Sequence, residues 1–185
     1  MSTKDKAIVN LKSSEKLAHF LEKTHLHKKE LAEMIGVTLS YIYNLIDNAI
    51  PFSTRSTTLE RIATVMDIEP EEFVEYKITQ EPILIDEAIE FIRTKQKEKG
   101  LTTVQFLKSF PRRQRVDIVD MLRGAQPIPL DWKELLMIAN VLEIKKEEIY
   151  PYWEAQLRKV LQTAGMNLQS NINLVNSMFK CARDY

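Results

Sequence analysis

The 185-residue sequence is poor in cysteine, glycine and proline, with counts of 1, 4 and 7. A single cysteine, Cys181, excludes an intramolecular disulfide and every zinc module built from several cysteines. So few glycines and prolines leave little room for the many tight turns of an all-β fold. We therefore expect a chain that folds by burial of apolar side chains alone.

Excess charge of one sign and long apolar runs are also missing. Lys plus Arg and Asp plus Glu each total 26, which argues against a polybasic binder but leaves room for a local basic patch. The longest unbroken apolar run is Leu135–Ala139, whereas a membrane span needs about 20 residues. The N-terminal MSTKDKAIVN lacks the apolar core of a signal peptide. We expect a cytoplasmic protein without a membrane segment.

The chain contains an internal repeat. Residues 42–73 align with residues 118–149 without a gap, and most paired positions keep apolar residues at helical spacing. Pro51 aligns with Pro127 in this register. A chance match is the alternative, because apolar periods coincide easily in a helix-rich chain. We interpret the pattern as a tandem duplication.

Local signals predict five short helices in the first repeat and the same plan, with a longer first and fifth helix, in the second. In the first repeat, Gly36 is suited to end helix two in the left-handed conformation, and Thr38 is suited to cap helix three. Thr57 with Glu60 has the spacing of a capping box for helix four, and Pro70 suits the first position of helix five. In the second repeat the starts of helices two and four are predicted at Thr102 and Asp131, and a long fifth helix at 146–164.

The stretch KKELAEMIGVTLSYIYNLIDN, residues 28–48, resembles the helix-turn-helix of the lambda-repressor-like, or XRE/Cro, family. Leu31 and Ala32 form the apolar-Ala pair of helix two, Gly36 lies in the turn, and Ile42 is the β-branched residue of helix three. Residues 63–68 match the end of the family's helix four. The resemblance implies a five-helix DNA-binding domain.

The second repeat departs from this pattern. Leu107 replaces the small alanine, and Pro111 stands where glycine would. Residues 124–144 still resemble the passage from helix three to helix four. We predict an all-α fold of two tandem five-helix lambda-repressor-like domains and a helical tail. The predicted segments are an N-terminal tail at 1–9, helix-turn-helix domain 1 at 10–78, a linker at 79–83, a divergent helix-turn-helix domain 2 at 84–155, and an extension at 156–185 that is a possible dimerisation element.

The resemblance implies that helix three of domain 1 lies in the major groove while helix two crosses the DNA backbone. Asn44 could then bond adenine, and Leu39 could contact a thymine methyl group. Cationic and hydroxyl side chains nearby are placed for phosphate. The predicted DNA-binding residues of domain 1 are Lys28, Thr38, Leu39, Ser40, Tyr43, Asn44 and Arg55.

Domain 2 carries a basic cluster on its helix two, turn and helix three. Arginine suits both phosphate and guanine, and glutamine can read a base. The predicted DNA-binding residues of domain 2 are Lys108, Arg112, Arg113, Gln114, Arg115 and Arg123. The alternative is a solvated helix in which acids neutralise the arginines, for instance Arg113 with Asp117.

Catalytic and metal-binding motifs are missing. The sequence has no glycine-rich phosphate loop, no HExxH and no GxSxG. His19, His25 and His27 lie close together in sequence, with no cysteine beside them, and we interpret them as structural or solvent-facing. We expect no metal, no cofactor and no enzymatic activity.

These features predict a sequence-specific double-stranded-DNA-binding transcription regulator of bacterial or phage type, a repressor that occupies a promoter. Helix three of one or both repeats would read the major groove, and the C-terminal half would hold two chains together as a homodimer. The alternative is a protein-interaction module whose degenerate helix-turn-helix domains bind another regulator. Salt dependence separates these functions, because DNA binding weakens steeply with salt.

Overall fold

Helical periodicity and helix caps account for the elements of this protein. The structure, a computed structural model, describes residues 12–49, 52, 56–76 and 86–167, and a few residues between 169 and 180. Those residues contain no strand, which confirms the predicted all-α class; the two tandem domains stay a prediction. The helices are α1 (Ser13–Thr24), α2 (Lys28–Ile35), α3 (Leu39–Ile46), α4 (Ser56–Met66), α5 (Glu87–Glu98), α6 (Thr103–Lys108), α7 (Arg115–Leu122), α8 (Trp132–Leu142) and α9 (Lys146–Thr163).

The contacts divide the chain into two units. Unit 1 holds the described parts of Met1–Ile83 and Thr102–Ala125, and therefore contains α1 to α4 together with α6 and α7. Unit 2 holds the described parts of Leu84–Leu101 and Gln126–Tyr185, with α5, α8 and α9. This grouping differs from the predicted boundary at 79–83, because α6 and α7, which we assigned to domain 2, pack on helices of domain 1.

The helix α2 lies at the centre of unit 1, where it contacts α3, α4 and α7. Its residues Leu31 and Ile35 are completely buried, at the inward positions that the 3.6-residue period predicts. Fully burying one such side chain stabilises a fold by about 1.5–3 kcal/mol. The other completely buried side chains of unit 1 include Leu17, Ile42, Leu45, Ile62, Phe106 and Val119.

Most predicted helix caps are confirmed. The Oγ1 of Thr38 accepts a hydrogen bond from the backbone N–H of Tyr41 at 3.2 Å. Gly36 ends α2 with a φ of 71°, which glycine adopts without strain. At the predicted start of α6, the Thr102 hydroxyl accepts from the N–H of Gln105 and the Gln105 side chain accepts from the N–H of Thr102, which forms a capping box.

Two predicted helix starts in the first repeat are wrong. Thr57 lies inside α4, which begins at Ser56, and the Glu60 carboxylate accepts a hydrogen bond from the Tyr76 hydroxyl at 3.1 Å instead of completing a capping box. The segment after Pro70 is a single 3₁₀ turn, Pro70–Glu72, rather than a fifth helix.

Aromatic side chains pack α5, α8 and α9 together in unit 2. The ring centroid of Trp132 lies 5.1 Å from that of Trp153, whose Nε1–H donates to the carbonyl of Leu130 at 2.9 Å. Phe91 stacks on Tyr152 with ring centroids 4.9 Å apart. Trp132 and Trp153 are buried, so these indoles form a core and not a surface for base stacking.

Several predicted segments lie outside the described residues. The tail at 1–9 and the linker at 79–83 are outside them entirely. Of the extension at 156–185, the structure describes the end of α9 and scattered residues after it. In the part of the chain that is described, no helix is long and apolar enough to cross a membrane.

Candidate nucleic-acid interface

A two-helix arrangement at the centre of unit 1 presents the candidate site. The α2 helix ends at Ile35, the chain turns through Gly36 in the left-handed conformation, and α3 begins at Leu39. One side of α3 is fixed in the core by Ile42 and Leu45, which are completely buried. The opposite side of α3 is therefore held rigidly at the surface.

The exposed side of α3 carries four of the residues predicted to bind DNA. Leu39 and Tyr43 are 38% and 45% exposed, and Ser40 and Asn44 are also exposed. Their spacing places them on adjacent turns of one helix face. The structure thus brings together a hydroxyl, an amide and two large apolar side chains.

The start of α2 lies against this face. The Nζ of Lys28 is 4.3 Å from the centroid of the Tyr43 ring, a cation–π contact between α2 and α3. Thr38 is exposed, and its hydroxyl proton remains available to a phosphate because only an oxygen lone pair is used in the helix cap. Arg55, the remaining predicted residue of domain 1, lies outside the described residues.

Two arginines predicted to contact DNA from domain 2 face inward instead. Arg115 is 9% exposed, and its Nε–H donates to the carbonyl of Phe110 at 3.2 Å. The Arg123 side chain is 12% exposed and binds the carboxylates of Asp120 and Glu60. Because α7 packs on α2 and α4, we exclude Arg115 and Arg123 from the candidate interface.

Asp120 is the acid around which these helices meet. Arg61 of α4 donates to both of its carboxylate oxygens, from Nε at 2.8 Å and from Nη2 at 2.5 Å. Arg123 donates from its Nε at 2.8 Å. Burial alone would raise the pKa of the Asp120 carboxyl, but the hydrogen bonds from the two arginines hold that pKa below its ordinary value.

Sequence reasoning missed this cluster. Asp120 and Arg123 have the i, i+3 spacing of a helical ion pair, which is a local signal, but Arg61 is 59 residues away and has none. It also missed Asp67, whose carboxylate caps α6 by accepting from the backbone N–H of Thr103 at 3.0 Å and from its hydroxyl at 2.5 Å.

The other basic residues predicted for domain 2 lie at the surface beside α2. Lys108 Nζ lies 3.7 Å from an oxygen of Glu30, and Arg112 Nη1 lies 3.3 Å from an oxygen of Glu33. The side chains of Lys108 and Arg112 are nevertheless 43% and 67% exposed. Of the remaining two predicted residues, Arg113 is exposed and Gln114 is half-buried.

One open groove joins residues of both repeats. Its lining includes Lys28 from the start of α2, Leu39 and Tyr43 from the exposed face of α3, and Arg112 from the turn between α6 and α7. Arg112 therefore lies on the same surface as the predicted base-contacting residues.

We also searched the described residues for a cluster of metal-binding side chains. Among the described residues, no group of three or more His, Cys, Asp or Glu side chains could hold a metal ion. His19, His25 and His27 are exposed.

Two helices joined by a glycine turn, the second with one buried and one exposed side, define a helix-turn-helix domain. Residues 16–78 match the family model of the Cro/C1-type HTH DNA-binding domain. This match supports an XRE-like helix-turn-helix there, and it favours a DNA-binding regulator over an enzyme. Neither the curated proteins nor the solved structures compared with the chain gave a match.

Proposed function

We propose that this protein is a sequence-specific double-stranded-DNA-binding transcription regulator of bacterial or phage type. The α3 helix enters the major groove and α2 crosses the phosphate backbone. The observation that carries the proposal is the exposed side of α3, with Leu39, Ser40, Tyr43 and Asn44, inside the range that matches the Cro/C1-type domain.

Each of these side chains has a proposed role. Asn44 bonds adenine through its amide, and Ser40 bonds a base edge with its hydroxyl. Leu39 and Tyr43 contact the methyl group of thymine. Lys28 and Thr38 bind phosphate, as does Arg55, and these contacts set the register of α3 on the duplex.

The proposed regulator is a homodimer through its C-terminal half. Val160 on α9 and Ile172 beyond it are 36% and 43% exposed, and pairing with a second copy would cover them. Two chains would present two α3 helices to an inverted repeat with half-sites about 34 Å apart. Occupying such a site within a promoter would repress transcription.

Selection of bound sequences from a randomised duplex library tests the proposal. We expect the intact chain to enrich one motif, and we expect its affinity for that motif to fall steeply between low and moderate salt, because bound phosphates release counterions. Failure to enrich any motif at low salt, for a chain shown to be folded by circular dichroism, would contradict the proposal.

A protein-interaction module is the second candidate. It is favoured by α3 itself, which contains no lysine or arginine and exposes two large apolar side chains. In that case another regulator would cover Leu39 and Tyr43. Binding to such a partner would persist at salt concentrations that dissociate a DNA complex.

A further inference from the structure

The helix-turn-helix of the first repeat is short of positive charge. The α3 helix has no basic residue, and α2 has two lysines, Lys28 and Lys29, opposed by Glu30 and Glu33. Neutralising phosphates supplies much of the affinity of proteins for DNA. A duplex approaching α3 therefore needs cations from another part of the chain.

The structure holds such cations beside α2. We call residues 108–113 the basic turn; it contains Lys108, Arg112 and Arg113 and no acidic residue. Lys108 and Arg112 form ion pairs with Glu30 and Glu33, the two acids of α2. Residues 28–46 and the basic turn together carry five basic and two acidic side chains, so the combined surface is positive.

These ion pairs do not occupy Lys108 and Arg112 fully. Exposed ion pairs contribute only about 0–1 kcal/mol, so a phosphate can compete for the same cation. Arginine also has five N–H donors, and a single nitrogen of Arg112, Nη1, makes the contact with Glu33. Arg112 lines the same groove as Lys28 and Tyr43, which places it beside the face of α3.

The basic turn is anchored before any ligand binds. Phe106 and Phe110, on either side of Lys108, are buried and stack edge to face with ring centroids 5.0 Å apart. The carbonyl of Phe110 accepts from Arg115, and the carboxylate of Asp67 caps the start of α6. A preordered segment loses little conformational entropy on binding.

We propose that the basic turn binds the phosphate backbone of the same DNA half-site that α3 reads. Cations of the second repeat then bind the DNA that α3 of the first repeat contacts, and α7 does not enter a groove itself. This inference rests on the proposed function, because it needs a duplex at α3. The ligand chemistry is the phosphodiester backbone, so the contacts of the basic turn are independent of base sequence.

Arg112→Gln and Arg113→Gln, made separately in the full chain, test the inference. The affinities for the selected duplex and for a scrambled duplex of the same length are measured over a salt series. For each variant we expect both affinities to fall alike, by roughly fivefold. The slope of log affinity against log salt concentration should become shallower by the equivalent of about one phosphate contact. The preference for the selected duplex should not change.

Lys12→Gln is the matched control for charge. Lys12 is exposed and precedes the first turn of α1, whereas the residues of α1 that line the groove begin at Ala18. Its loss should leave the salt slope at the wild-type value. Arg112→Lys keeps the charge, so its salt slope should equal that of wild type. Thermal unfolding of each variant verifies that it is folded.

The outcomes separate this inference from the proposed function. If wild-type protein selects a motif but Arg112→Gln and Arg113→Gln keep its salt slope, the inference is wrong and the proposed function stands. A tighter complex for Arg112→Gln would also overturn it, because the turn would then obstruct DNA. If wild-type protein shows no sequence preference at low salt, the proposed function itself fails.

Discussion

Asp120 shows how single charged residues organise unit 1. Its carboxylate receives hydrogen bonds from Arg61 and Arg123, and a second acid, Glu60, also binds Arg123. The side chains of Asp120 and Arg123 are only 7% and 12% exposed. Removing the acid would leave Arg61 without its carboxylate partner, and Arg123 would keep only Glu60, which is unfavourable for guanidinium groups that are largely covered.

We expect Asp120→Ala to lower the free energy of unfolding by roughly 2–3 kcal/mol at neutral pH. Because the folded-state pKa of Asp120 is lowered, its stabilisation is present above the ordinary value of 3.8 and is lost as pH falls through the folded-state pKa. Urea unfolding at neutral and acidic pH measures both effects. Asp117→Ala, at an exposed position of α7, is the control, and an equal loss in the two variants would contradict the prediction.

Gly36 combines a positive φ with close packing. A Cβ atom at this position would lie 3.3 Å from atoms of Val116 and Arg61. Gly100 has a similar φ, 67° against 71°, but a Cβ atom there would have no atom of the described residues within 4 Å beyond its chain neighbours. Comparing the two glycines therefore separates backbone strain from packing.

We expect Gly100→Ala to cost about 1 kcal/mol from backbone strain alone and Gly36→Ala roughly 2 kcal/mol. The difference arises because α7 must shift away from the new methyl group at position 36. Chemical denaturation of the two variants provides the measurement. Equal losses would mean that α7 does not pack closely on the turn.

Residues with local partners could be predicted from the sequence, and residues with distant partners could not. Gly36 and Thr38 were predicted because a helix cap involves neighbours within three or four positions. The sequence also predicts Arg115 and Arg123 as DNA-binding, because arginine suits both phosphate and guanine. Their internal partners become visible only when α7 is placed against α4.

At the scale of helices, α7 departs most from its sequence interpretation. Its position in the predicted repeat corresponds to that of α3, but α7 is buried on more than one side, at Ile118, Val119, Met121 and Leu122 and also at Asp120. A helix that is covered in this way cannot insert into a major groove. The apolar period predicted the helix correctly but did not show how much of it would be covered.

The start of α6 depends on Asp67, which follows α4. We expect Asp67→Asn to destabilise the protein by about 1 kcal/mol, because the neutral amide is a weaker acceptor for the N–H and hydroxyl of Thr103. Asparagine tolerates the positive φ of this position, 56°. Glu69→Gln removes the same charge from an exposed residue nearby, and thermal unfolding should show little change for this control.

At the scale of the whole molecule, the repeat and the structural units follow different boundaries. The predicted repeat divides the chain near residues 79–83, whereas unit 1 includes the described part of Thr102–Ala125. Periodicity identifies which residues of a helix are apolar, but two copies of one helix pattern offer similar apolar faces as partners. The sequence therefore could not decide which copy would cover α2 and α4.

A fragment of residues 1–78 tests this arrangement. Without α6 and α7, the surfaces of α2 and α4 that these helices cover would be exposed to water. We expect the fragment to be less stable than the intact chain by several kcal/mol, at about 25 cal/mol for each Å² of apolar surface uncovered. A fragment that unfolds at the same urea concentration as the full chain would show that residues 1–78 fold independently.

In the proposed function α3 reads the DNA sequence, and Asn44 makes its most base-specific contact. The most direct measurement is parallel selection from a randomised duplex library with wild type, Asn44→Ala, and the control Asn140→Ala at an exposed position of α8. We predict that Asn44→Ala loses preference at one base position, with a cost of about 1–3 kcal/mol there, while the control keeps the wild-type motif. An Asn44→Ala motif identical to wild type would contradict the proposal that α3 reads the DNA sequence.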